Sequence, residues 1–165
     1  MEINLTLSTK GIKSAIRELK SVKSTLEERI EAKNQQLVAE GKRILDEKIG
    51  SINDYDNNDI GKTYGTAVGK NGTIEWHGEQ IAFLEFGTGT VGKQDSYPGI
   101  FPVPWEYANS TYSKRHEDGH WSYKNSSGDL VRTYGIPAYA PMLKTSEELK
   151  KKIPEIYKGL LGGEK

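Results

Sequence analysis

The sequence predicts a single α+β domain over residues 1–165: an N-terminal strand, a long and broken helix, an antiparallel sheet with an extended arm, and a C-terminal helix. Three observations predict it. Residues 2–7 alternate polar and apolar side chains. Apolar residues then recur at helical spacing through the first third of the chain, and an Asn-Gly pair sits between β-prone runs in the middle.

Taken in order, Ile3, Leu5 and Leu7 would share one face of a half-buried strand, and Ser8 or Thr9 would cap the helix after it. Ile12, Ile16, Leu19, Leu26, Ile30, Leu37, Ile44 and Ile49 mark a helical stripe with Glu, Lys and Arg on the other faces. A straight helix over residues 10–49 would span roughly 60 Å, so a break is expected at residues 22–25 or at Gly41. Residues 51–60 are acidic and rich in turn formers, which reads as a loop. Asn71-Gly72 fits a two-residue type I′ turn, which would set Lys70 opposite Thr73 and Ala67 opposite Trp76. Residues 80–86 read as a third strand that leaves through Gly87-Thr88-Gly89.

Residues 91–134 change character. They contain Pro98, Pro102 and Pro104 and eight of the 15 aromatic residues. They read as an extended arm, not a helix, with a hairpin of residues 107–116 and 120–123 turning at Asp118-Gly119 and a further turn at residues 127–129. Its large aromatics suit packing on the chain's own sheet or on a neighbouring subunit. Pro137 and Pro141 hold residues 136–141 extended. Leu143, Leu149, Ile153, Ile156 and Leu160 then mark a C-terminal helix, capped near Thr145-Ser146 and bent or restarted at Pro154.

Composition narrows the chemistry. With no cysteine there is no disulfide framework, thiolate metal site or cysteine nucleophile. No apolar run is long enough to span a membrane, and residues 1–4 do not open a signal peptide, so a cytoplasmically made soluble protein is expected. The 23 basic and 23 acidic residues cancel. Residues 1–50 carry +2, residues 51–120 carry −5 and residues 121–165 carry +3. A duplex-binding domain usually has a basic excess, so this pattern points to self-association or protein docking.

Three motifs match catalytic or ligand-binding expressions. His116-Glu117-x-x-His120 has the spacing of a zinc hydrolase, but Asp118-Gly119 within it favours a hairpin, which sends the two histidines to opposite faces. Gly87 to Lys93 fits G-x-G-x-x-G and the first seven positions of a phosphate loop. Gln94 stands where the metal-binding hydroxyl belongs, and residues 95–99 cannot extend a helix, so the glycines read as a tight strand exit. No G-x-S-x-G elbow is present, and Lys150-Lys151-Lys152 reads as a solvated helix face. No cofactor, metal or catalytic residue is assigned.

Residues 81–89, with Glu85-Phe86-Gly87-Thr88-Gly89 at their end, resemble the aromatic/aliphatic–Glu–Phe–Gly–Thr signature of the small tail-component family of long-tailed bacteriophages, the tail-completion or head–tail joining proteins of the neck. Ile136-Pro137-Ala138-Tyr139-Ala140-Pro141 leading into the C-terminal helix is similar to the second half of that signature. The resemblance implies a non-enzymatic virion subunit that forms a homo-oligomeric ring, six-fold in expectation, between the portal or connector and the tail tube or tail terminator. It implies genomic DNA passing through without sequence-specific binding; for such a ring the segment charges suit a neutral or acidic lumen, and the short apolar runs give no membrane partner. It makes Glu85, Phe86, Gly87, Thr88 and Gly89, with Pro137 and Pro141, structural or intersubunit residues. Tyr97, Phe101, Trp105 and Trp121 of the arm are the further candidate interaction residues. A tail terminator, a minor capsid protein and a zinc hydrolase are the alternative readings.

Overall fold

A computed structural model of the chain describes residues 9–52, 60–107, 118–124 and 127–160. The expected N-terminal strand, most of the 51–60 loop and residues 108–117, including His116 and Glu117, lie outside the described residues. The elements are α1 (Thr9–Gly50), β1 (Lys62–Val68), β2 (Asn71–His77), α2 (Ile81–Phe86), α3 (Gly89–Gln94), β3 (Trp121–Lys124), β4 (Leu130–Thr133) and α4 (Pro141–Ile156). The class is α+β, with two separate two-stranded antiparallel sheets, β1–β2 and β3–β4.

The long helix does not break. α1 runs 42 residues without interruption, because residues 9–50 contain no proline and both expected break points serve the helix. At the first, Thr25 Oγ1 donates to the Ser21 carbonyl one turn back, and Lys23 pairs with Glu27 at 3.8 Å. At the second, Gly41 is an interface: a Cβ there would come within 2.2 Å of Ile74 Cδ1 and 2.6 Å of Leu149 Cδ1. Glycine at this position lets β2 and α4 approach the helix closely.

The hairpin exists, with its turn two residues earlier than expected. Val68 pairs with Asn71, Ala67 with Gly72 and Thr63 with Trp76, so Gly69 and Lys70 form the loop. Among the described residues of this loop only Gly69 takes positive φ, at 55°, as in a type II′ turn with glycine first. Gly72 is needed for another reason. Cβ atoms on Gly65 and Gly72 would lie 2.7 and 2.6 Å from the two methyls of Val38, so the two strands open a slot for that side chain of α1. Asn34 closes the tip, donating from Nδ2 to the Gly69 carbonyl at 2.8 Å and accepting from the Tyr157 hydroxyl beyond α4.

The core collects Leu45, Ile49, Ile52, Ile60, Trp76 and Leu84, with Ile74, Ile81, Ile136, Tyr139 and Met142 packed on it. Trp76 stays satisfied inside it by donating Nε1–H to the Ile60 carbonyl at 2.7 Å.

The expected third strand is helix α2. Ala82, Leu84 and Glu85 are good helix formers, and so short an apolar run is not distinguished by period alone. Its last turn closes with the Gly87 N–H on the Phe83 carbonyl at 2.7 Å. α3 likewise overturns the expectation that residues 91–134 hold no helix: residues 91–94 complete it. β3 pairs with β4, Trp121 opposite Thr133 and Lys124 opposite Leu130, around the expected turn near residues 127–129; the expected pairing with residues 107–116 falls outside the described residues. α4 begins at Pro141 rather than at a Thr145-Ser146 cap, and Thr145 is buried within it. Pro at the first helical position needs no N–H partner, and Pro154 is accommodated in the last turn without a restart.

Candidate functional site

Two segments about a third of the chain apart fold against each other, residues 84–92 and residues 134–143. Glu85 is the centre. It is only 7% exposed, and its carboxylate accepts the Met142 N–H at 2.8 Å and the Leu143 N–H at 3.0 Å. These are first-turn amides of α4, which have no acceptor within the helix. The Tyr97 hydroxyl bonds to the same carboxylate. Burial pushes the Glu85 pKa up, and the two amides and Tyr97 pull it partly back. Burial and the neighbouring Glu85 charge in turn raise the Tyr97 phenol. With both oxygens holding backbone, this carboxylate ties α2 to α4.

Backbone completes the tie. Tyr139 N–H donates to the Leu84 carbonyl at 3.1 Å, and Thr88 and Ile136 bond reciprocally: the Thr88 N–H reaches the Ile136 carbonyl at 2.9 Å, and Thr88 Oγ1 accepts the Ile136 N–H at 3.2 Å. The chains approach so closely that Gly87 and Gly135 are required. At φ 78°, a Gly87 Cβ would lie 2.8 Å from Ala138 N, and at φ 105° a Gly135 Cβ would lie 1.9 Å from the Thr88 carbonyl oxygen. Ala140, fully buried with φ 51°, takes the left-handed conformation that lets Pro141 open α4.

The amide N–H groups that a phosphate loop would offer are occupied by protein. Gly89 N–H donates to the Tyr107 carbonyl at 2.7 Å, Val91 N–H to Tyr134 at 3.2 Å and Gly92 N–H to Thr88 at 2.8 Å. The glycines do bring backbone close to neighbours as expected, at a helix-to-helix junction rather than a strand exit: the Trp121 ring covers Gly89, where a Cβ would meet it at 2.5 Å.

Over this junction lies an aromatic cluster. Phe86 meets Tyr97 edge-on at 5.0 Å between centroids, Phe101 at 5.6 Å and Trp105 at 5.1 Å. Trp105 donates Nε1–H to the Gly87 carbonyl at 3.1 Å, and Tyr107 Oη accepts the Tyr97 N–H at 2.9 Å. The base of the arm therefore packs on its own chain, against α2 and the Gly87 turn. Every candidate interaction residue, Glu85 to Gly89, Tyr97, Phe101, Trp105, Trp121, Pro137 and the buried Pro141, belongs to this one assembly.

His120 borders it, its ring 6.0 Å from that of Tyr134 between centroids. Its Nδ1 faces Asp118, which also receives Arg132 and the Tyr134 hydroxyl, and hydrogen bonds from His120 foremost, then Tyr134, hold the Asp118 carboxyl far below its ordinary value against its partial burial. No group of three or more His, Asp or Glu side chains that could hold a metal occurs among the described residues, and His116 and Glu117 lie outside them. No helix among the described residues is long and apolar enough to cross a membrane.

Two connections escaped sequence reasoning. Asn34 was indistinguishable from an ordinary polar residue of α1. Glu40, bound by Arg43 within α1 and by Lys152 of α4 at 2.7 Å, had no local signal except charge. Compared with known protein families, curated proteins and solved structures, the chain matches none.

Proposed function

We propose that the chain is a ring-forming structural subunit of the head–tail neck of a tailed bacteriophage, of the tail-completion kind. It would join the connector to the tail and leave a passage for DNA. The observation that carries this reading is the meeting of the two motif segments that resemble that family: Glu85, in one, caps α4 through Met142 and Leu143, in the other. Motif residues so placed are explained by assembly of a shaped subunit, with Glu85 as a brace. The same reading accounts for apolar side chains left in solvent, including Ile16, Ile100 and Val103.

Native mass spectrometry and electron microscopy of the purified chain test it. A closed ring of one stoichiometry, six-fold in expectation, is the expected result, together with recovery of the chain in particles between head and tail. A chain that remains monomeric at all accessible concentrations and is missing from particles overturns the reading.

A further inference from the structure

We infer that the outer edge of β2 receives residues 2–7 of a second copy of this chain as a third strand. The inference rests on the proposal that the chain assembles with copies of itself, and names the contact through which it does so.

β1 and β2 form a sheet of two strands, so each has an edge without a strand partner. The two-residue turn makes Val68 and Asn71 the hydrogen-bonded pair that closes the hairpin, and such pairs alternate along an antiparallel ladder. Gly72 opposite Ala67, and Ile74 opposite Gly65, are therefore pairs whose N–H and C=O groups point away from the neighbouring strand. Those of Gly72 and Ile74 hold no hydrogen bond among the described residues. An edge of this kind is a template for another extended segment.

What flanks the two edges separates them. Along β1, Asp46 accepts from both Thr63 Oγ1 and Lys42 Nζ, so an added strand would lie over an ion pair. Along β2 it would lie over α4. Leu149 and Ile74 converge on Gly41, the Tyr157 hydroxyl donates to Asn34 at the hairpin tip, and Ile153 falls between Leu149 and Tyr157 at four-residue spacing on the same face. Lys152 turns the other way, to Glu40. Ile153 is thus level with Gly72, and it is 40% exposed.

Residues 2–7, outside the described residues, have the alternation this place requires. Ile3, Leu5 and Leu7 alternate with Glu2, Asn4 and Thr6, so one face of the strand can cover Ile153 while the other stays in water. Their own hairpin is out of reach. Its nearest point is the tip, level with Asn34, and α1 separates Thr9 from Asn34 by roughly 37 Å at 1.5 Å per residue. Residues 2–8, fully extended, span at most about 25 Å. A strand of these residues on β2 therefore comes from another copy. Contact between two unlike surfaces of one chain is heterologous, and it closes into a ring when the rotation between protomers permits.

The chain has no cysteine, so single-cysteine variants report one contact each. L5C and I153C proteins are mixed and treated with a short bismaleimide. The expected product is a 5-to-153 linked dimer, with an oligomer ladder from the L5C/I153C double variant. Deleting residues 2–7 should raise the concentration for half-assembly by about tenfold or more, with the thermal melt, which reports the core at the far end of α1, unchanged. Amide hydrogen exchange at Gly72 and Ile74 should be slow in the assembled wild type and fast in the shortened chain. Predominant 73-to-73 links from T73C, which mark two β2 edges paired with each other, overturn this docking. So does a shortened chain that assembles as the wild type does. An assembled wild-type ring with no 5-to-153 link, or with fast exchange at Gly72 and Ile74, also overturns it and leaves the ring reading standing. A wild-type chain that never assembles overturns both.

Discussion

The two halves of α1 carry one sequence pattern to opposite ends. In the C-terminal half Val38, Ile44, Leu45 and Ile49 are at most 8% exposed, and Gly41 is shaped to receive Ile74 and Leu149. In the N-terminal half Ala15 is still buried, but Ile12, Ile16 and Leu19 around it are about half exposed, and bonds such as Ser14 to Glu18 and Ser24 to Glu28 run within the helix. Amphipathic periodicity therefore marks an apolar face without recording how completely the chain covers it.

The largest expected effect separates the halves directly. Leu45→Ala empties a fully buried site in the main cluster and should cost about 3 kcal/mol in urea unfolding. Ile16→Ala, measured at a protein concentration below assembly, should change stability by less than about 0.5 kcal/mol, because the lost contact is small and alanine is the better helix former. Equal costs at the two positions would break the comparison.

Legibility in the sequence divides along the same line. Periodicity disclosed α1, the hairpin and α4, since each declares its buried face locally. It did not disclose that α1 is continuous, because Gly41 looks alike whether it breaks a helix or admits a neighbour. The hairpin turn was misplaced because Asn71-Gly72 is a strong turn signal locally, while Gly72 answers to Val38, more than 30 positions earlier. Residues 81–86 read as a strand because six residues are too few to distinguish the periods. The motif residues were legible as a group. That Glu85 caps α4 was not, since its partners are 57 and 58 residues away.

That cap gives the second prediction. Glu85→Ala leaves two first-turn amides of α4 without an acceptor in a buried place and should cost about 2 kcal/mol. Glu85→Gln keeps one acceptor and should cost less. Burial also sets the sign of the pH dependence. It holds the Glu85 pKa above its ordinary 4.5, so the native state binds its proton more tightly than the unfolded state. Its contribution is therefore fully present below that value and declines as pH rises through the interval above it. Unfolding of the Gln variant between pH 4.5 and 7 should lack this decline.

The smallest expected effect lies on the other side of that pH. Hydrogen bonds from Arg43, and then from Lys152, hold Glu40 at about 2 against its ordinary 4.5. The unfolded state then binds more protons, so the stability from this group is present above 4.5 and is lost as pH falls toward 2. The group is half-buried and still reached by solvent that screens it, which keeps the effect below that of Glu85. Its value lies in location. Arg43 belongs to the same helix as Glu40, whereas Lys152 reaches it from α4, so Lys152→Met should flatten the acid-side loss of melting temperature between pH 5 and pH 3. Lys23→Met, which breaks only the in-helix pair with Glu27, should leave that loss unchanged. A matching change in both variants would mean that the C-terminal half of α1 draws nothing from its charged contact with α4, and that packing alone distinguishes the halves.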